Sequence, residues 1–152
     1  MKPYLESIDN IKNELKRVDH LIFVSLKYTR TVDVIRSVIE RMLNAFEFGV
    51  NALLEKRKVK KKKLQIPVQI KLKVALAKGE YHDEKIDHFL DFYLRLREVL
   101  KAKYTRREEY RRYVTMISAL SPGNVVEVDI DKLNEYHKIV KDFLEYMEGM
   151  IK

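Results

Sequence analysis

Apolar residues recur every three or four positions at the start of the chain. Leu5, Ile8, Ile11, Leu15, Val18, Ile22 and Leu26 form one stripe. That spacing predicts an amphipathic helix, and Pro3 suits its first turn. The stripe fades at Tyr28-Thr29-Arg30. Thr29 or Thr31 can cap a second helix. Val32, Ile35, Val38, Ile39, Met42, Leu43, Phe46, Val50, Leu53 and Leu54 give it a wide apolar face. This helix is expected to run to about Arg57.

Positions 64–76 alternate apolar and polar residues strictly, which is a strand pattern. Pro67 and the run Lys-Val-Ala-Leu-Ala-Lys-Gly at 73–79 instead suit a helix with Gly79 at its C-cap. No partner strand is evident, so the favoured expectation is a short extra helix near 66–78. A third long helix begins near Asp83, with acids at 80, 83, 84 and 87 suiting a positive N-terminus. Ile86, Phe89, Leu90, Tyr93, Leu94, Leu96 and Leu100 carry its core face. It is read as continuing through 104–113 with a bend at Thr105, where Thr105-Arg-Arg-Glu108 is a capping box. Ser121-Pro122-Gly123-Asn124 lies between two β-branched flanks and predicts a small β-hairpin near 114–130. Asp131 can cap a last helix striped by Leu133, Tyr136, Val140, Phe143 and Met147.

Four long helices with short connections predict a mainly α chain. The expectation is a single domain over 1–152, an antiparallel four-helix up-down bundle with the extra helix and the hairpin added. Composition agrees: 46% hydrophobic residues suffice for one core. No apolar run approaches the ~18 residues of a membrane span. The first residues lack a signal-peptide layout. Cysteine is absent, which excludes disulfides, cysteine-ligated zinc and thiol nucleophiles and fits a reducing compartment. The expected location is the cytoplasm, without a membrane partner.

Charge changes the picture. The net charge is +8, from 31 cations and 23 acids. Lys56, Arg57, Lys58, Lys60, Lys61, Lys62 and Lys63 put seven cations into eight positions, and without them 24 cations face 23 acids. Basicity is therefore one segment on a nearly neutral body. Residues 127–148 carry seven acids and three lysines. Such asymmetry points to an acidic partner, above all nucleic acid contacted through phosphates.

A second basic stretch interleaves aromatics. Residues 103–113 read Lys-Tyr-Thr-Arg-Arg-Glu-Glu-Tyr-Arg-Arg-Tyr, the mixture of single-strand binders. Tyr104, Arg106, Arg107, Tyr110, Arg111 and Arg112 are its candidate contacts. On a helix, Arg106, Tyr110 and Tyr113 would share a face. The stretch also echoes an earlier one. Lys27-Tyr28-Thr29-Arg30 recurs as Lys103-Tyr104-Thr105-Arg106, and Arg30, Asp33, Arg36 match Arg106, Glu109, Arg112 at spacings of three. One reading is two helix starts with surface ion-pair ladders. The other is a shared charged cluster of Tyr28, Arg30, Asp33, Arg36, Arg106, Glu109 and Arg112 around one anion, since arginine forks grip phosphate oxygens.

Catalytic signals are sparse. His20, His82, His88 and His137 lie in no nucleophile or phosphate-loop motif. Glu84, Asp87, His88 and Asp91 could converge on a helix face, but first-turn acids have a simpler dipole role. The expectation is no catalytic residue, no metal and no cofactor. His20 beside Asp19 and His137 beside Tyr136 are read as helix-surface residues.

The four helices, the charged helix junction and the basic surface resemble the HEPN superfamily of small helical bundles. The chain's Lys-rich, cysteine-free composition is similar to that of uncharacterised archaeal thermophile proteins. The resemblance implies an RNA or nucleotidyltransferase association. The superfamily's nuclease signature places Arg four to six residues before His. Here the matching positions hold Asn13-Glu14-Leu15, Ala75-Leu76-Ala77, Tyr81-His82-Asp83 and Ile130-Asp131-Lys132, so that signature is absent. The leading expectation is a non-catalytic RNA-binding domain. The alternatives are a protein-interaction module or homodimer, pairing acidic and basic segments, and a divergent nucleotide- or RNA-processing enzyme.

Overall fold

The computed structural model describes residues 2–151. Five helices and a three-stranded sheet follow in chain order. Helix α1 (Pro3–His20) continues through a π-helical turn at Leu21–Ser25 and a last turn at Leu26–Tyr28. Residues 29–31 fold the chain back into α2 (Val32–Lys60). Thr31 is the cap of α2, its hydroxyl accepting from the Val34 amide at 3.3 Å.

The second helix runs three residues past the expected Arg57. Mutual repulsion of the cations is offset in two ways. The negative end of the helix macrodipole attracts them, and Arg57 donates to the Glu80 carbonyl at 2.9 Å.

Helix α3 (Ile70–Tyr81) is the extra helix, shifted along the chain from 66–78. Pro67 lies in the connection before it and Gly79 lies inside it. His82, at φ +47°, takes the left-handed cap position instead of Gly79. The alternation at 64–76 reflects no strand. Val74 and Ala77 face the core while Leu72 is exposed.

Helix α4 (Glu84–Lys101) starts as expected, with the Asp83 carboxylate accepting from the Ile86 amide at 3.0 Å. It does not continue through 104–113. Ala102 turns extended at ψ 157°, and β1 (Lys103–Arg107) pairs antiparallel with β2 (Thr115–Ser121). Thr105 sits in that strand, opposite Ile117, and caps nothing. Strand pairing wins here because 103–113 has no apolar helical stripe to bury.

The hairpin of β2 and β3 (Asn124–Val128) is present, with Gly123 at φ +78° in its turn. Helix α5 (Ile130–Ile151) follows. Its cap is Asp129, not Asp131: the Asp129 carboxylate accepts from the Lys132 amide at 2.8 Å.

Helix α2 is the spine. It packs against α1, α3, α4 and α5. Val32, Ile35, Val38, Ile39, Met42, Phe46, Val50, Leu53 and Leu54 are fully buried. Phe46 stacks on Phe143 at 4.7 Å and touches Phe92 and Tyr93 at 5.8 and 5.9 Å. A ring so enclosed contributes on the order of 3–5 kcal/mol against truncation. Gly49 admits Phe143, because a Cβ there would collide with its ring.

Candidate nucleic-acid interface

The start of α2 meets the loop after β1. Helix N-termini leave amides without intrahelical acceptors. The Glu109 carboxylate, from that loop, meets this need at Val32 and with Asp33 holds Arg106. Glu109 accepts from the Val32 amide through Oε2 at 3.2 Å and from Arg106 through Oε1 at 3.0 Å. Arg106 also donates to Asp33 at 3.0 Å. The Tyr110 amide donates to the Arg30 carbonyl at 2.6 Å. The hydrogen bonds that Arg106 donates to Glu109 first, then to Asp33, push its pKa further up, so this guanidinium stays charged.

The two echoed segments therefore meet in space, but not as matched helical ladders. Arg106 is in a strand, and Glu109 and Arg112 are in a loop. Their spacing of three is not a helix face, and Arg106, Tyr110 and Tyr113 do not share one. Arg36 is structural. It lies over the Tyr104 ring at 4.1 Å, donates to the Leu100 carbonyl at 3.0 Å and reaches the Met116 sulfur at 3.6 Å.

Other groups in this region stay open to solvent. Tyr28, Tyr110 and Tyr113 are 80%, 77% and 61% exposed. Arg111 and Arg112 are exposed and have no ion-pair partner among the described residues. Arg112 lies over the Tyr113 ring at 5.5 Å. Arg107 pairs with Glu127 across the sheet. Arg30, Arg112 and Tyr113 line one recess of about 260 Å³ with Asp129 and Asp131. The Nε of Arg30 is buried without a hydrogen-bond partner among the described residues.

The loop is held under strain. Glu108 and Tyr110 adopt φ +55° and +66°, a region that costs non-glycine residues on the order of 1–3 kcal/mol. The Glu109 contacts, the Tyr110–Arg30 bond and the Arg111 amide to the Glu108 carbonyl at 3.1 Å hold it there.

The basic run at 56–63 divides in two. Lys56 donates to the Ile151 carbonyl and lies 5.5 Å from the Tyr4 ring. Arg57 stacks on Tyr81 at 4.4 Å, and Lys61 pairs with Glu80 at 3.0 Å. Lys58, Lys60, Lys62 and Lys63 are exposed without an ion-pair partner among the described residues. The run closes α2 at the end opposite Arg106. A 29-residue helix is ~43 Å long, so the two basic regions are not one patch.

Two further groups escaped the sequence reading. Lys16, Arg17, His20 and Leu21 of the first helix line a groove of about 300 Å³ with Arg41 of α2. Helical spacing placed the first three near one another, but only the fold brings Arg41. His137 is buried, not a surface residue, and its Nε2 lies 2.6 Å from Asp19 Oδ1 without hydrogen-bond alignment. Asp19 thus faces His137 instead of its neighbour His20. Glu84, Asp87, His88 and Asp91 do not converge, and Asp91 pairs with Lys78. No helix among the described residues is long and apolar enough to cross a membrane. No family model, curated protein or solved structure matches the chain.

Proposed function

We propose that the chain is a non-catalytic RNA-binding domain whose interface is the 108–113 loop with Tyr28 and Arg30. One observation carries the reading: exposed Tyr110 and Tyr113 stand beside unpaired Arg111 and Arg112 on a strained loop that Arg30 and Glu109 fix from below, with exposed Tyr28 two residues before Arg30. Exposed rings offer stacking faces to unpaired bases, and free guanidiniums offer forks to phosphates. Lys58, Lys60, Lys62 and Lys63 add a sequence-independent attraction at the far end of α2. Binding is favoured over catalysis because Asp33 and Glu109, the acids of the cluster, are already engaged by Arg106. The proposal includes a HEPN-like up-down bundle of α1, α2, α4 and α5, and a cytoplasmic location.

The test is a titration of labelled single-stranded RNA and an RNA hairpin at several salt concentrations. Substituting Arg111→Ala and Arg112→Ala together lowers the single-strand salt slope by about 1.4, at ~0.7 per phosphate contact. Tyr113→Ala weakens single-strand binding by roughly 5-fold to 150-fold, the worth of one stacked base. Alanine at Lys58, Lys60, Lys62 and Lys63 weakens both RNAs alike. No binding by the wild type at low salt overturns the proposal. So does wild-type behaviour of the arginine variant.

A further inference from the structure

A second groove, lined by none of the residues of the 108–113 loop, lies between α4, β3 and the first half of α5. It encloses about 760 Å³, within the ~300–1,000 Å³ range of small-molecule sites. Its floor is apolar: Phe92, Leu96, Val99 and Val126. Phe92 holds Tyr136 edge-on at 5.3 Å.

The polar groups on its rim are unequal. Asp91 and Glu127 line the groove, but each is held from outside it, Asp91 by Lys78 and Glu127 by Arg107. Lys132 pairs at 3.4 Å with Glu135, an exposed and weak arrangement. Arg95 has no ion-pair partner among the described residues. The half-buried Tyr136 hydroxyl likewise has no hydrogen-bond partner there, so it is a free donor against the groove wall. Burial pushes the Tyr136 pKa up while Lys132 and Arg95 oppose that rise. The phenol therefore remains protonated at neutral pH and able to donate.

We propose that this groove binds an amphipathic organic monoanion, a medium-chain or aromatic carboxylate. Its apolar part lies on Phe92, Leu96 and Val126, and its carboxylate meets Arg95 and the Tyr136 hydroxyl. A single unpaired guanidinium suits one negative charge. A phosphate dianion would meet the two acids on the rim, and an amine would meet Arg95.

The experiment titrates the full chain with decanoate by calorimetry, alongside decylamine, both below their micelle concentrations, and decanol below its solubility limit. Decanoate binds saturably at one site per chain, and both analogues bind at least about tenfold more weakly. Arg95→Ala weakens decanoate about tenfold or more, and Tyr136→Phe weakens it a few-fold while keeping the ring on Phe92. Arg95 is exposed, so its variant keeps the wild-type thermal transition. Three results overturn the proposal: no saturable decanoate binding, equal binding by decylamine, or wild-type affinity in Arg95→Ala. The RNA reading is independent, since the Arg111/Arg112 variant binds decanoate normally.

Discussion

Glu109 shows how one side chain can serve two elements. Its two oxygens cap the start of α2 and hold Arg106, residues from segments 77 positions apart in the first case and adjacent in the second. Glu109→Ala removes a cap and leaves Arg106 with Asp33 as its one remaining ion-pair partner among the described residues. The expected cost is about 1–2 kcal/mol, read as a lower urea midpoint at unchanged slope. Individual residues of this cluster were legible in the sequence, because the echo singled out Asp33, Arg36, Arg106 and Glu109. Their roles were not. Local spacing suggested ladders along a helix, whereas Arg106 reaches Asp33 across 73 positions and Arg36 turns inward onto Tyr104. The same limit hid His137, whose partner Asp19 lies on another helix. Periodicity reports which face of an element is apolar. It does not report which charged residue of a distant element faces it.

At the level of elements, the helical stripes carried most of the fold. The caps Thr31 and Asp83 and the turn through Gly123 also lay where side-chain chemistry puts them. The strand at 103–107 escaped because nothing local defines it. It is short, charged and held by its ladder to β2 and by Tyr104 under Arg36. The π-helical turn escaped for a related reason. Ile22 and Leu26 are four apart, following Val18 and another gap of four, which drifts off a straight α-helical stripe. A turn with one extra residue brings both back to the core. The cap of α3 yields a prediction. His82 occupies a left-handed conformation that glycine adopts without steric cost, and it is exposed. His82→Gly therefore raises stability by about 0.5–1 kcal/mol, measured by chemical denaturation. A fall in stability would mean that the imidazole makes a contact worth more than the strain.

Across the whole molecule, four tyrosines tie folding to alkaline pH. Burial first, then the hydrogen bond to Glu47, pushes Tyr93 well up. Burial also raises Tyr81 and Tyr136, and the bond to Asp83 raises Tyr146. In each case the folded pKa exceeds the unfolded value of about 10, so the folded state binds more protons above that pH. Stability is fully present below pH ~10 and falls as pH rises beyond it. Tyrosinate absorbance followed alongside helical dichroism shows Tyr93 ionising only as the helices melt; its ionisation with intact dichroism would refute this. The basic regions gain meaning only at this scale. Composition located Lys58 and Arg111, but only the length of α2 separates their regions by tens of ångströms. The trans cap on α2 has a consequence in time. During synthesis the α1–α2 hairpin is complete at Lys60, well before Glu109, and at ~5–20 residues per second the Glu109 carboxylate follows roughly 2–10 s later. Throughout that interval the nascent hairpin exposes the apolar face that α4 and α5 later cover, and the Val32 amide at the start of α2 is left to water.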